Sequence, residues 1–222
     1  MENTKEKKNK KSLILLVLAL LISFAMVSGT VAWLTRTSKI TNSFTVGTFE
    51  VPTTDPEDAT QTISIDGHLY EPSWDANAPH KLLPGITFEK DPYVGIGAGS
   101  EDAVVYVYVE NNFSNKVYFT INSGWEAVAD NTTAGSKEGT YTSGLFKYTA
   151  GLTGSADADS WTTTPLFSEI NADDTADSED FTVAAGVNEI VVSSFIHQAK
   201  DDEGNAINEA TILEAAKAAF GI

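Results

Sequence analysis

Residues 103–110 read AVVYVYVE, and this run decides the fold. Val105, Val107 and Val109 share one parity, and Tyr106, Tyr108 and Glu110 share the other. Successive side chains of an extended chain point to opposite faces, so a period-two run of branched and aromatic residues reads as a β-strand. The flanking segments repeat the pattern. Lys116 to Asn122 forms a strand with Val117, Phe119 and Ile121 inward, and Leu145 to Thr149 forms another. Phe181 to Val183 and Asn188 to Gln198 follow, the latter with Ile190, Val192 and Ile196 on one parity. Upstream, Leu83-Pro84-Gly85 is a turn, Ile86 to Lys90 a strand, and Asp91-Pro92 its break. Ile63 and Ile65 mark a short strand that turns at Asp66-Gly67.

The stretches between are polar. Gly95 to Gly99 reads as a flexible turn, residues 123–144 as a long exposed connection, and residues 171–180 (NADDTADSED) as an acidic, solvated loop. The last segment changes period. In ATILEAAKAAFGI, Ile212, Ala216, Ala219 and Phe220 fall at helical spacing, with Gly221 placed to cap the end. About eight strands, irregular spacing and one terminal helix predict an all-β chain. The fold class expected is an antiparallel jelly-roll β-sandwich with a short C-terminal helix, preceded by an N-terminal signal peptide.

The first 51 residues are organised differently. Lys5, Lys7, Lys8, Lys10 and Lys11 precede an uncharged run, Ser12 to Val31, and the next charge is Arg36. A basic start, an apolar core and small residues before a cut describe a secretory signal. Thr30-Val31-Ala32 places the cut between Ala32 and Trp33. A retained span is the rival, because the run reaches the roughly 20 residues that cross a bilayer. Cleavage removes five lysines and two glutamates: Lys+Arg falls from 14 to 9, Asp+Glu from 31 to 29, and the net charge becomes −20 over 190 residues. Such a surface repels nucleic acid, and no basic patch is visible. The chain has no cysteine, which removes thiol catalysis and thiolate metal sites.

Trp33 to Val51 alternates again. Leu34, Ile40, Phe44 and Val46 share one parity, and the other carries Thr35, Thr37, Lys39, Thr41 and Ser43. The residues allow an ordinary first strand in its own sheet or an arm that pairs elsewhere. The domain division expected is residues 1–32 signal peptide, 33–47 an alternating N-terminal strand segment and 48–222 β-sandwich.

No catalytic constellation assembles. His68, His80 and His197 are dispersed and lie outside any H-E-x-x-H pair. No G-x-S-x-G elbow or phosphate loop is present. The acidic residues of 171–180 lack the order of a calcium loop. No catalytic residue, cofactor or metal ligand is assigned.

Three segments in order resemble the TasA/camelysin family: GTVAWLTRTSKITNSFTVGTFEV (residues 29–51, with Asn42, Phe44 and Gly47 as N-x-F-x-x-G), LLPGITFEKDPYVGIGAGSEDAVVYVYVE (residues 82–110), and VVSSFIHQAK (residues 191–200) with the short Ala-rich helix after it. These are secreted bacterial jelly-roll proteins processed by a SipW-type signal peptidase. Residues 123–180 match none of its motifs. The resemblance implies a secreted structural subunit of extracellular biofilm-matrix or cell-surface fibres. It implies self-association into filaments by N-terminal donor-strand exchange, with Leu34, Ile40, Phe44 and Val46 as donor residues. An accessory matrix subunit is left open as a partner, and membrane contact is expected only before cleavage. Two further classes stand beside this one. One is a camelysin-like metalloprotease. The other is a monomeric surface module or adhesin using exposed aromatics such as Trp125 and Trp161.

Overall fold

The valine–tyrosine run lies at the centre of the largest sheet. The computed structural model describes residues 44–46, 48–74, 82–177, 179–181 and 189–222, all within one compact unit, Thr41–Ile222. Among them are β1 (Phe44–Val46), β2 (Leu69–Tyr70), β3 (Thr87–Glu89), β4 (Tyr93–Ile96), β5 (Ala103–Asn111), β6 (Val117–Tyr118), β7 (Trp125–Ala134), β8 (Tyr141–Tyr148), β9 (Ser160–Trp161), β10 (Glu169–Ala172), β11 (Ile190–Gln198) and α1 (Glu209–Phe220). The chain is thus mostly β with one short C-terminal helix. Among the described residues, no helix is long and apolar enough to cross a membrane.

A five-stranded sheet has the order β1-β11-β5-β8-β7, and two three-stranded sheets have the orders β3-β10-β6 and β2-β4-β9. Among the described residues, pairing between strands is antiparallel except between β1 and β11. β5 and β11 pair along their whole length, from Ala103↔Gln198 to Asn111↔Ile190. The two parities of β5 go to two different cores, as period-two geometry requires. Val105, Val107 and Val109 join Phe146 and Ile196 in the main core, which the small sheets complete with Val94, Ile96 and Ile170, and Phe119 just after β6. On the opposite face Tyr106, Leu145 and Phe195 pack under Ile212 and Ala216 of α1.

The helix is set at both ends, the C-terminal one by Gly221 as expected from its sequence. Asn208 Oδ1 accepts the Ala210 N–H at 2.8 Å, filling one of the donors a helix start leaves free. Gly221 ends it in the left-handed conformation, φ 73°. Phe220 stacks on Tyr108 with ring centroids 5.3 Å apart. Lys147 on β8 reaches Glu209 in the first turn of the helix.

Several polar stretches are more ordered than their composition predicts. Residues 123–144 are not a long exposed connection, because they hold β7 and the start of β8. The register of β7 shifts between Ala127↔Phe146 and Thr132↔Gly144, with Asp130 at φ 66° inside the bulge. A bulge breaks the period-two pattern, and an edge strand tolerates polar residues, so composition masks the strand. Gly95 and Ile96 are not a turn but part of β4. The acidic loop is not uniformly solvated: Asp173 is buried. Its carboxylate accepts the Thr175 N–H and hydroxyl at 2.9 and 2.8 Å and the Ser136 hydroxyl at 2.9 Å. The break after β3 is also internal. Lys90 pairs with Glu71 at 2.7 Å and lies over the Trp74 ring, and Asp91 accepts the Ser73 N–H at 2.9 Å.

Candidate functional site

The end of the N-terminal segment meets the β11 edge. β1 runs parallel to β11 in the register Phe44↔Phe195, Thr45↔Ile196, Val46↔His197. Of the sequence-predicted donor residues, Phe44 and Val46 stand in this register. Leu34 and Ile40, and the cleavage residues Ala32 and Trp33, lie outside the described residues.

β11 offers both cores to its neighbour. Ile196 is fully buried in the main core, and Phe195 is buried beneath α1, 6.3 Å from the Phe220 ring. His197, also buried, points Nδ1 at the Gln198 carbonyl, 2.8 Å away. Ser194 is fully buried and its Oγ has no partner. The outer edge of a sheet presents main-chain donors and acceptors that need an extended partner or water. β1 meets that need over three residues.

The chain that follows β1 is fastened differently. Gly97 N–H donates to the Glu50 carbonyl at 2.6 Å, and Glu50 N–H donates to Ser100 Oγ at 2.9 Å. A Cβ on Gly97 would lie 2.5 Å from the Val51 carbonyl oxygen, so only glycine permits this approach. Phe49 packs against the main core and Pro52 is buried.

The aromatics expected on the surface are structural. Trp125 is buried, pairs with Tyr148 at 5.2 Å and donates its indole N–H to the Thr164 carbonyl at 3.1 Å. Trp161 is half-buried and donates to the Thr54 carbonyl at 3.1 Å. His68 is buried with Nδ1 2.9 Å from the Gly95 carbonyl, and burial holds its pKa below the ordinary value. His80 lies outside the described residues. Among the described residues no group of three or more His, Asp or Glu is disposed to hold a metal ion.

Sequence reasoning singled out residues 33–51 as an alternating segment but not the carboxylate that holds Thr53 and Thr54 just after it. The acceptor there is Asp159, one carboxylate within the run GSADADSW, and nothing in its sequence neighbourhood distinguishes it from Asp157.

No family model, curated protein or solved structure matches this chain.

Proposed function

We propose that the protein is a secreted structural subunit of extracellular biofilm-matrix or surface fibres, with a jelly-roll sandwich as its body. In this reading a SipW-type peptidase cuts after Ala32. The freed arm then leaves its own domain and completes the sheet of the next subunit.

The observation that supports the reading is the parallel pairing of β1 with β11 over three residues at the sheet edge. Such a pairing has few hydrogen bonds to lose. The edge it covers accepts any extended segment of suitable side chains, from the same molecule or another. A contact in which the arm of one copy fills the edge of the next is head-to-tail and does not close on itself, so it grows filaments. Trp125 and Trp161, the aromatics of the surface-module reading, both donate their indole N–H groups to main-chain carbonyls of the fold, which favours the fibre reading over that one.

The test compares residues 33–222 with a chain starting at Thr48, by size exclusion and negative-stain microscopy. The fibre reading expects filaments from the longer chain only. Two folded monomers of equal behaviour would overturn it.

A further inference from the structure

The root of the arm and the arm itself are held by unequal means. β1 has three paired residues. Just beyond it, the Asp159 carboxylate gathers the next segment. Oδ2 accepts the Thr53 N–H at 2.6 Å, the Thr54 N–H at 2.8 Å and the Thr54 hydroxyl at 2.9 Å, with the Thr53 hydroxyl at 3.4 Å. Oδ1 accepts the Ala98 N–H at 3.0 Å. One side chain therefore joins three stretches that are remote in sequence: the arm root, the loop after β4 and the loop before β9.

Other contacts close the same patch. Trp161, two residues on, donates to the Thr54 carbonyl at 3.1 Å, and Ile63 N–H donates to the Thr53 carbonyl at 2.8 Å. Gly97 and Ser100 bind Glu50 from the other side. Hydrogen bonds to an ionised carboxylate are about twice as strong as neutral ones, and this carboxylate takes three from backbone N–H groups.

We propose that Asp159 is a clamp that fixes the root of the N-terminal arm at Thr53-Thr54, so that exchange between copies moves only the chain before Thr48. The inference rests on the fibre reading for its purpose and on the hydrogen bonds for its existence. The clamp fixes where the arm leaves the domain. Without it the root peels away with the arm, the reach from one subunit to the next is no longer set, and the Gly97 and Ser100 contacts are lost in turn. Gly47, the residue type with the freest backbone, lies in sequence between arm and root.

The experiment uses the full chain, expressed with its peptidase so that it is exported and cut, and compares wild type, Asp159→Ala and Thr54→Val. Hydrogen exchange followed at single amides is the first readout. Asp159→Ala is expected to speed exchange of the Thr53, Thr54 and Ala98 amides at least tenfold, while Val105 and Val107 in β5 stay unchanged. Thr54→Val removes one hydroxyl donor in an isosteric side chain and is expected to speed the Thr54 amide about threefold, which keeps the test alive if Asp159→Ala does not fold. Unchanged exchange at those three amides overturns the clamp. Negative-stain microscopy is the second readout. Asp159→Ala is expected to give short or irregular filaments from folded subunits. Regular filaments of wild-type length, with the root amides exposed, overturn its role in exchange. Wild-type chain that never forms filaments overturns the fibre reading, and the amide data then judge the clamp alone.

Discussion

The Trp161 ring lies flat across Gly95: a Cβ built on the glycine would sit 2.4 Å from the ring. The pair is also a strand register, Gly95↔Trp161, joining β4 to β9. Gly95→Ala forces the indole off its seat and weakens its bond to Thr54. Overpacking of this kind costs about 1–3 kcal/mol. Urea unfolding should show that loss, and Trp161→Ala in the same chain should cancel part of it, because the two side chains contend for one volume. Additive losses would mean that the contact is not the cause.

The C-terminal helix covers the second face of the main sheet through Ile212 and Ala216. Ile212→Ala is expected to cost about 2–5 kcal/mol, and Asn208→Ala about 1 kcal/mol through the lost cap. Thermal melts of the two variants should keep that order. A silent Ile212→Ala would mean that α1 does not contribute to the folded core.

Acid stability is expected to fall in two steps. Burial holds the pKa of His68 below 6.5, so the unfolded chain takes up the proton first and stability declines as pH drops below that value. Lower down, Asp173 is held below 3.8 by the Thr175 N–H and hydroxyl and by Ser136, and Asp180 by the Asp177 N–H and Lys116. At Asp159 burial pushes the pKa up, but hydrogen bonds from Thr53, Thr54 and Ala98 outweigh it and leave it lowered. Stability from these carboxylates is complete above 3.8 and is lost as pH falls through their folded values. Asp91, raised by burial, works in the opposite direction: the native state takes up its proton first, so it adds stability as pH falls from its folded value toward 3.8, before the second step begins. Melting temperature against pH from 7 to 2 checks the profile, and His68→Gln should erase the upper step only.

The register Val46↔His197 makes the arm testable in a chain with no cysteine of its own. Val46→Cys with His197→Cys should oxidise within one molecule in monomers and between molecules in filaments. A denaturing, non-reducing gel of filaments should then show a ladder. Phe44→Asp with Val46→Asp should leave a folded monomer and abolish filaments. Fibres of unchanged length would remove the donor role of these residues.

Ala32→Asp places a charge at the expected cut. Processing should stall, and the intact mass should retain residues 1–32. Normal release would move the cleavage site elsewhere.

The sequence by itself determined the strands whose apolar alternation is strongest. β5 was legible because Val105, Val107 and Val109 mark one face residue by residue, and β11 because Ile190, Val192 and Ile196 mark one face with only Ser194 interrupting them. The helix was legible because Ile212 and Ala216 recur at its period and Gly221 follows. Local periodicity records which face is buried, so it survives without a structure. It does not record partners. β7 was hidden because a bulge shifts its parity, and β4 because its glycine reads as a turn until Trp161 covers it. Asp159 was indistinguishable from the other acids of its loop, since its role depends on N–H groups of Thr53, Thr54 and Ala98 that only folding brings together. The alternation of residues 33–51 was visible in sequence, but the neighbour of Phe44 to Val46 was not. That β1 lies parallel to β11, some 150 residues away, was decided by the tertiary structure, because an edge is created only when the rest of the sheet has formed.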